Sequence, residues 1–396
     1  MPRQTPLYHL HQSLGARCID FGGWDMPVQY SGLAGEHKSV RTAAGMFDIS
    51  HMGQLWVGGA KARDFLNYAL TNEVSNLEVG DAQYTLMCRD NGGVVDDLYL
   101  YRIAAEAYLL IVNASRIEAD LHWLEFQRSS RNESRTVKIE DQSSTTGAIA
   151  VQGPKVSSFI NQLFDGEGLI RAPHPVALSK NQIDVFFYKG REVFVATSGY
   201  TGEDGYEIIA PNDILVPLWA RLLEIGQPHG LIPAGLGARD SLRTEMGYPL
   251  YGHELNEDTT PLEAGLGFFV KFDKENFCGK SIIQKQKEDG VEWVSRAFKM
   301  NQAGPPPREG CEMLVNEKEL IREDVWSWGP DGLKRQVDEA LIGTVTSGTH
   351  SPMLECGIGL ARVRAHRAEI GAVVDIDIRG KRHSATLCAK PLYKRQ

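Results

Sequence analysis

The stretch Asn91-Gly-Gly-Val-Val-Asp-Asp-Leu-Tyr-Leu-Tyr101 does most to decide the fold. Asn-Gly-Gly is typical of a tight turn, because glycine adopts positive φ without steric cost. The run from Val94 to Tyr101 is rich in β-branched and aromatic residues and predicts a strand. Side chains alternate along a strand, so Asp96 and Asp97 are predicted to point to opposite faces. One carboxylate therefore enters whichever face is buried, where it needs a partner or a chemical role.

Strict alternation divides this strand into an aliphatic face and an aromatic face. In an isolated Asp pair after a glycine turn, one side chain most often caps the turn and the other is solvated. The pair therefore indicates a functional site only together with other motifs of the chain. The aliphatic face is predicted to carry Val94, Asp96, Leu98 and Leu100, and the aromatic face Val95, Asp97, Tyr99 and Tyr101.

The composition is that of an ordinary globular protein. The chain has 396 residues, of which 42% are hydrophobic and 23% charged, enough for two or three domains. The formal net charge of −9 argues against a nucleic-acid partner, since such proteins usually carry a basic footprint. No run of about twenty apolar residues predicts a membrane span. The six cysteines are scattered without zinc-ligand spacing, which predicts reduced thiols and no metal site.

Short β-rich runs alternate with helical stretches, which predicts an α+β fold. The strand predictions are Gln54–Val57, Tyr108–Val112, Ala148–Val151, Ile183–Tyr188 and Glu192–Thr197. The helix predictions are Leu33–Ala44 with Gly45 as its C-cap, Lys61–Ala69, Arg116–Gln127, Pro154–Leu163 and Ile214–Ile225.

A domain boundary is predicted near Gly290, which divides the chain into residues 1–289 and 290–396. Short strands with Gly and Pro turns follow, most clearly Val373–Ile378 and Ser384–Ala389, and favour a small barrel or sandwich. The segment Glu319–Asp338 has no functional interpretation and is predicted to be a surface loop.

Two glycine-rich stretches do not predict nucleotide binding. Gly235-Leu-Gly237 resembles a dinucleotide fingerprint, but Asp240 stands where the third glycine belongs. The glycines of Ser198–Glu207 are followed by no Lys-Ser or Lys-Thr pair, so this is no P-loop. The second stretch instead predicts a turn between two strands, with Glu207 projecting inward from the strand that follows.

Several motifs, taken in order, resemble the aminomethyltransferase (T-protein) family of the glycine cleavage system. The resemblance runs from about Thr5 to Tyr393 and is far more specific than any single motif. Besides the opening stretch, it rests on Phe21-Gly-Gly-Trp-Asp-Met-Pro27, Arg41-Thr-Ala-Ala-Gly-Met-Phe-Asp-Ile-Ser-His-Met-Gly53, Ser198-Gly-Tyr-Thr-Gly-Glu-Asp-Gly-Tyr-Glu207, Pro233-Ala-Gly-Leu-Gly-Ala-Arg-Asp-Ser-Leu-Arg243 and Gly343-Thr-Val-Thr-Ser-Gly-Thr-His-Ser-Pro352.

The resemblance implies a folate-binding region of mixed α/β subdomains followed by a C-terminal β-barrel. It implies tetrahydrofolate as co-substrate, no metal or flavin, and the lipoylated H-protein as partner. Asp97 matches the catalytic carboxylate, and the residues that match folate-binding positions are Tyr84, Tyr101, Tyr200, Glu207 and Arg239, with weaker matches at Asn113 and Tyr248. For Arg239 an ion pair with Asp240 or Glu245 is the alternative.

Folate chemistry suits these residue types. A carboxylate matches the aminopyrimidine edge of a pterin with two parallel hydrogen bonds, aromatic rings hold the flat bicycle, and arginine forks onto carboxylates. The implied reaction moves a one-carbon unit from the S-aminomethyl-dihydrolipoyl arm to tetrahydrofolate, and yields ammonia and 5,10-methylenetetrahydrofolate.

Other members of the same fold carry out other reactions, so alternatives stay open at this point. The weakest is a fragment of a flavin-linked dimethylglycine-type oxidase, against which the absence of an attached flavin domain argues. The two main alternatives are the following. One is a folate-dependent demethylase, and the other is a non-transferase folate protein of the iron–sulfur-assembly type. The latter carries Lys-Gly-Cys-Tyr-x-Gly-Gln-Glu, whereas Asn276-Phe-Cys-Gly-Lys-Ser281 fits the T-protein pattern better. The family occurs in bacterial cytoplasm and in mitochondria, and a start at Met without a leader favours the bacterial cytoplasm.

Overall fold

A computed structural model of the chain describes residues 2–316, 326–329, 332–335 and 341–395. The chain divides into two compact units, each assembled from two stretches of sequence. The first unit comprises Met1–Arg239 and Phe268–Lys280, and the second Asp240–Gly267 and Ser281–Gln396. The sequence boundary near Gly290 stays a prediction.

Helices and strands of the described residues alternate along the first unit and become mostly strands in the second. The helices are α1 (Tyr8–Ser13), α2 (Leu33–Thr42), α3 (Ala62–Ala69), α4 (Ile117–Ser130), α5 (Asn212–Gly226), α6 (Leu236–Met246) and α7 (Lys280–Asp289). The strands of the first unit are β1 (Arg17–Phe21), β2 (Trp24–Gln29), β3 (Ala44–Asp48), β4 (Gly53–Gly58), β5 (Ala82–Cys88), β6 (Val94–Ala104), β7 (Ala107–Val112), β8 (Lys138–Asp141), β9 (Thr146–Gln152), β10 (Ile183–Tyr188), β11 (Arg191–Ala196), β12 (Gly205–Pro211) and β13 (Leu231–Pro233).

A five-stranded antiparallel sheet contains the opening stretch as its strand β6. Its order is β5-β6-β7-β4-β8, so β6 is an interior strand with neighbours on both sides. The aliphatic face packs against α3 and α4, where Leu98 and Leu100 join a buried cluster with Phe65 and Leu124. The opposite face therefore presents the aromatic and acidic residues of β5 and β6.

The N-terminal end of β6 departs from strict alternation. Val95 was predicted on the aromatic face, but it is buried in the same cluster as Leu98 and Leu100. The reason is a β-bulge: Cys88 pairs with Val94 and Met87 with Asp96, so Val95 is the extra residue. An extra residue shifts the alternation on one side of it only, and the faces of Asp96 and Asp97 are as predicted.

A six-stranded sheet forms the second layer of this unit, in the order β10-β11-β12-β9-β3-β13. Only β13 runs parallel to its neighbour β3; the other pairs are antiparallel. Tyr206, Ile208 and Ala210 of β12 enter a core that also holds Trp219 of α5. Glu207, which lies between them in sequence, projects from the other face.

The strands that the sequence predicts in this unit are found, whereas the predicted helices are found only in part. Helix α2 ends at Thr42, and the predicted cap Gly45 lies inside β3 instead. Residues 154–163 form no α-helix but two short 3₁₀ turns, Val156–Ser158 and Ile160–Leu163. Helix α6 was not predicted.

The second unit contains a closed barrel, as the sequence predicted. Six strands close in the order β14-β19-β18-β15-β20-β21 around a buried apolar core that includes Phe298, Val345 and Ile376. The predicted loop Glu319–Asp338 lies mostly outside the described residues, apart from one antiparallel strand pair. The strands of this unit are β14 (Trp293–Met300), β15 (Glu312–Val315), β16 (Trp326–Gly329), β17 (Gly332–Arg335), β18 (Leu341–Ser351), β19 (Cys356–Arg364), β20 (Val373–Ile378) and β21 (Lys381–Cys388).

Candidate active site

The carboxylate of Asp97 lies on the aromatic face of the five-stranded sheet, between two hydrogen-bond donors. Tyr84 of β5 donates its hydroxyl to Asp97 Oδ2 at 2.8 Å. Asn113, immediately after β7, donates its side-chain amide to Asp97 Oδ1 at 2.9 Å. The register brings the three together, since Tyr84 lies opposite Tyr99 and Tyr99 opposite Ile111. Both oxygens of Asp97 are therefore held in place from the two neighbouring strands.

Asp96 is completely buried on the other face and binds the same asparagine. Its Oδ2 accepts the backbone N–H of Asn113 at 2.9 Å, and its Oδ1 accepts the side-chain amide at 2.8 Å. Asn113 thus joins the two adjacent carboxylates through one amide group. Asp96 supports the position of Asn113, and through it the position of Asp97.

A second carboxylate, Glu207, is linked to the same sheet by a hydroxyl network. Tyr101 is fully buried and its hydroxyl lies 2.9 Å from the Ser198 hydroxyl. Ser198 in turn donates to Glu207 Oε2. Tyr101 also stacks with Tyr99, with ring centroids 5.9 Å apart. The aromatic face of β6 therefore extends from Asp97 to Glu207.

Arg239 lies beside Glu207 and stacks on Tyr200, with its guanidinium carbon 4.8 Å from the ring centroid. Its Nη1 is buried, and no described residue accepts a hydrogen bond from it. Burial lowers the pKa of Arg239, while the nearby charge of Glu207 raises it. A buried guanidinium nitrogen without an acceptor is costly and is typical of a group reserved for a ligand.

The start of α6 positions Arg239 through a buried glutamate. Glu36 accepts the backbone N–H groups of Tyr30, Ser31 and Gly32 with Oε1, and that of Gly235 with Oε2. A Cβ at Gly235 would lie 2.4 Å from the backbone of β2, so only glycine allows this approach. The helix that carries Arg239 therefore begins at a defined point.

A buried ion pair supports the turn that precedes Glu207. Arg41 donates to Glu203 Oε1 at 2.8 Å and to the Thr201 carbonyl at 2.7 Å. Both charged side chains are essentially inaccessible to solvent. The turn between Ser198 and Glu207 is therefore attached to helix α2.

Arg41→Ala is expected to destabilise the protein by about 3–5 kcal/mol, because it leaves Glu203 buried without its partner. Arg63, which is about half exposed, is the matched control, and Arg63→Ala is expected to cost less than about 1 kcal/mol. Chemical denaturation measures both. Equal losses in the two variants would contradict a structural role for Arg41.

Burial and the charge of Asp96 raise the pKa of Asp97 to about 7. Burial and the charge of Asp97 raise the pKa of Tyr84 well above its ordinary value, so its hydroxyl keeps the proton that it donates. A carboxylate that titrates near neutral pH both stabilises a cation and exchanges protons, which are the properties of a general acid–base group.

Six of the seven predicted ligand-binding residues lie with Asp97 in the first unit and form a connected arrangement. Tyr84 and Asn113 contact Asp97; Tyr101 reaches Glu207 through Ser198; Tyr200 and Arg239 complete it. Tyr248 lies in the second unit, in the segment after α6, and its role stays a prediction.

Comparison with known families identifies the chain. Residues 7–274 match the family described as GCVT N-terminal domain, and residues 297–394 match the glycine cleavage T-protein C-terminal barrel domain. The chain belongs to the glycine cleavage T-protein family. It is an aminomethyltransferase of the glycine cleavage system.

Relatives of full length agree with this assignment. The chain is 42% identical to the aminomethyltransferase of Bacillus subtilis (strain 168) over 396 residues, which is 100% of both chains. It is 43% identical to that of Bacillus pumilus (strain SAFR-032), again over 100% of both. The crystal structure of the glycine cleavage system aminomethyltransferase T from Bartonella henselae superimposes with a TM-score of 0.85 at 29% identity, covering 100% of this chain and 99% of that one.

The T-protein motifs did not reveal every residue of the site. The sequence predicts only a turn at Ser198, yet this residue connects Tyr101 to Glu207. The signal that could have indicated this role is the position of Ser198 between the end of β11 and the start of β12, directly before Gly199. The sequence predicts a strand face for Asp96 and a weak folate match for Asn113, and only the pairing of β6 with β7 shows that the two residues are in contact.

The alternative for Arg239, an ion pair with Asp240 or Glu245, stays a prediction. Asp240 pairs with Arg243 at 2.7 Å, and Arg243 also pairs with Glu254 at 3.0 Å. His51 is buried, and burial lowers its pKa to about 4, so it stays neutral at physiological pH. Across the residues that the structure describes, no three His, Cys, Asp or Glu side chains are placed to hold a metal ion, and no helix is long and apolar enough to cross a membrane.

Proposed function

We propose that the aromatic face of β6 binds tetrahydrofolate and that Asp97 acts on the transferred carbon. The observation that carries this proposal is the arrangement of two carboxylates at the two ends of one tyrosine-lined face. Asp97 and Tyr101 are four residues apart on one strand, so their Cα atoms are about 13 Å apart. Glu207 is reached through Tyr101 and Ser198. A flat bicyclic ring lies between the two carboxylates in the proposed complex.

Glu207 is the proposed partner of the pterin aminopyrimidine edge. Ser198 donates to Oε2 and so fixes the position of the carboxylate. The two oxygens of a carboxylate accept several hydrogen bonds, so Glu207 also accepts from the ring N–H and the amino group of the pterin in the proposed complex. Arg239, with its buried Nη1 lacking an acceptor, supplies the complementary donor. The site therefore fits a ligand that carries both donors and acceptors.

Asp97 is the proposed electrostatic group of the reaction. The one-carbon unit leaves the sulfur of the dihydrolipoyl arm for the folate, ammonia is released, and the dihydrolipoyl sulfur takes up a proton. Positive charge develops on the carbon during the transfer. A carboxylate that Tyr84 and Asn113 already hold stabilises that charge without reorganisation. The donor in this proposal is the lipoylated H-protein, and the proposed location is the bacterial cytoplasm.

The decisive experiment is an assay with aminomethylated H-protein and tetrahydrofolate. We expect release of ammonia and formation of 5,10-methylenetetrahydrofolate in equal amounts, with neither product formed at that rate when tetrahydrofolate is left out. Calorimetry in a buffer with a metal chelator is expected to detect tetrahydrofolate binding. Absence of binding there would contradict the proposal.

The pH dependence of kcat/KM is expected to follow the ionisation of Asp97. The stabilising form is the carboxylate, and its pKa is raised to about 7, so activity is expected to be low at pH 5 and to rise through neutral pH. The neutral His51 adds no titration in this range. Initial rates from pH 5 to 9 measure this limb, and a midpoint near 4, the ordinary value for aspartate, would contradict it.

A further inference from the structure

Asp120 is a third acid below the active site, in the first turn of α4. Its side chain is completely buried, and none of the described residues donates a hydrogen bond to either carboxyl oxygen. The start of α4 is attached to β6, because Arg116 donates to the carbonyl of Val95, and this places Asp120 beside Asp96, the buried carboxylate that holds Asn113. Two acids thus meet in the interior of the protein.

Such a contact requires a proton. Two ionised carboxylates in contact repel each other strongly when both are buried. The cation that acts on Asp120 is Arg116, whose Nε donates to the carbonyl of Val95, the extra residue of the bulge, at 2.9 Å. When one acid keeps its proton, its O–H becomes the donor that the other carboxylate accepts.

Asp120 is the member that keeps the proton. Asp96 accepts two hydrogen bonds from Asn113, which favour its ionised form, whereas Asp120 accepts none. Burial, and then the charge of Asp96, raise the pKa of Asp120 far above its ordinary value. The helix N-terminus favours the ionised form, but this effect is small beside that of complete burial. The charged groups that face Asp120 are Asp96 and Asp97 on β6 and Arg116 at the start of α4.

We propose that Asp120 is a positioning residue of the transfer reaction, a neutral carboxylic acid that donates a hydrogen bond to Asp96 and so keeps Asn113 against Asp97. The path runs from Asp120 to Asp96, from Asp96 to the amide of Asn113, and from that amide to Asp97 Oδ1. Asp120 does not touch substrate. The inference rests on the proposed role of Asp97 for its effect on catalysis, but not for its protonation state.

The protonation state is tested by stability, with Asp120→Asn as the isosteric neutral variant. In the wild type, Asp120 is ionised in the unfolded chain above its ordinary pKa and must regain a proton on folding. Its contribution therefore becomes less favourable as pH rises from about 4 towards the raised pKa. Asparagine has no such requirement, and its amide still donates to Asp96. We expect the melting temperature of Asp120→Asn to exceed that of the wild type by an amount that grows steadily from pH 5 to pH 9.

The positioning role is tested by comparing Asp120→Asn with Asp120→Leu in the assay of full-length enzyme with H-protein and tetrahydrofolate. Leucine has nearly the same size but cannot donate to Asp96. Asp96 then takes up the proton itself, and its loss of charge lowers the pKa of Asp97. We expect kcat of Asp120→Leu to fall at least about tenfold, with its acidic limb moved to lower pH. Asp120→Asn is expected to recover most of that loss.

The outcomes separate the two proposals. A stability difference between Asp120→Asn and wild type that does not change with pH would overturn the neutral-acid assignment, even if Asp120→Leu does not fold. If Asp120→Asn and Asp120→Leu lost activity equally, a hydrogen-bond donor would not be what the site needs. If Asp97→Asn kept full activity while the pH-dependent stability difference was present, the proposed function of Asp97 would fail and the buried pair would stand.

Discussion

Asp97→Asn is expected to lower kcat by about 10² or more while the protein stays folded and still binds tetrahydrofolate. Removing one preorganised electrostatic group from an active site usually costs this much, about 2.7 kcal/mol of transition-state stabilisation. The neutral amide cannot stabilise positive charge on the transferred carbon. Single-turnover release of ammonia from aminomethylated H-protein measures the loss.

The structure explains why the fold is expected to tolerate this change. Asparagine at position 97 keeps an oxygen for the Asn113 amide, and the Tyr84 hydroxyl can turn to accept from the new amide. Asp64→Asn on the exposed surface of α3 is the matched control and is expected to leave kcat unchanged. Asp96→Asn does not serve as a neutral control, because Asp96 accepts two hydrogen bonds from Asn113. Wild-type kcat in Asp97→Asn would remove this residue from the chemistry.

Glu207→Ala is expected to raise the dissociation constant for tetrahydrofolate about 10- to 100-fold. The variant leaves the pterin donors without their acceptor, and an unsatisfied buried donor costs about 1–3 kcal/mol. Ser198 loses its acceptor as well, so the hydroxyl of Tyr101 is no longer held at a fixed position. Isothermal calorimetry with tetrahydrofolate measures the change.

The control for this variant is Glu192→Ala, which removes an exposed glutamate from the neighbouring strand β11. Its dissociation constant is expected to match that of the wild type. If the dissociation constant of Glu207→Ala were unchanged, Glu207 would not be part of the pterin site. A loss of affinity accompanied by a large fall in melting temperature would instead indicate a structural effect.

The local pattern of the sequence was enough to predict the strand that carries the catalytic candidate. Apolar and aromatic alternation from Val94 to Tyr101 predicted β6, and the opposite faces of Asp96 and Asp97 followed from that alternation alone. Short strands separated by Gly and Pro turns predicted a small barrel or sandwich for the second unit, and the family resemblance implied the barrel that is found. Strand formation and the alternation of faces depend on residues close in sequence, so they could be predicted without knowing which strand pairs with which.

The predictions were wrong where contacts with another strand or helix determine the conformation of a segment. Val95 enters the core because β5 pairs with Val94 and Asp96 and leaves Val95 unpaired. The run Pro154–Leu163 has an adequate helical start, but its residues are held in two 3₁₀ turns that pack Ile160 and Leu163 into the core. Tertiary packing outweighs helix propensity, which amounts to less than about 1 kcal/mol per residue.

The sequence by itself determined which residue types could bind a folate and which strand presents them, since alternation and family motifs are local properties. Only the tertiary structure decided how they are connected. Asn113 joins Asp96 to Asp97 because β7 ends beside β6. Asp120 looks like an ordinary first-turn acid in the sequence, and it becomes a buried partner of Asp96 only because α4 packs on that sheet. Burial and the charge of a neighbour set the protonation of a carboxyl group, and both arise from contacts that no stretch of sequence contains.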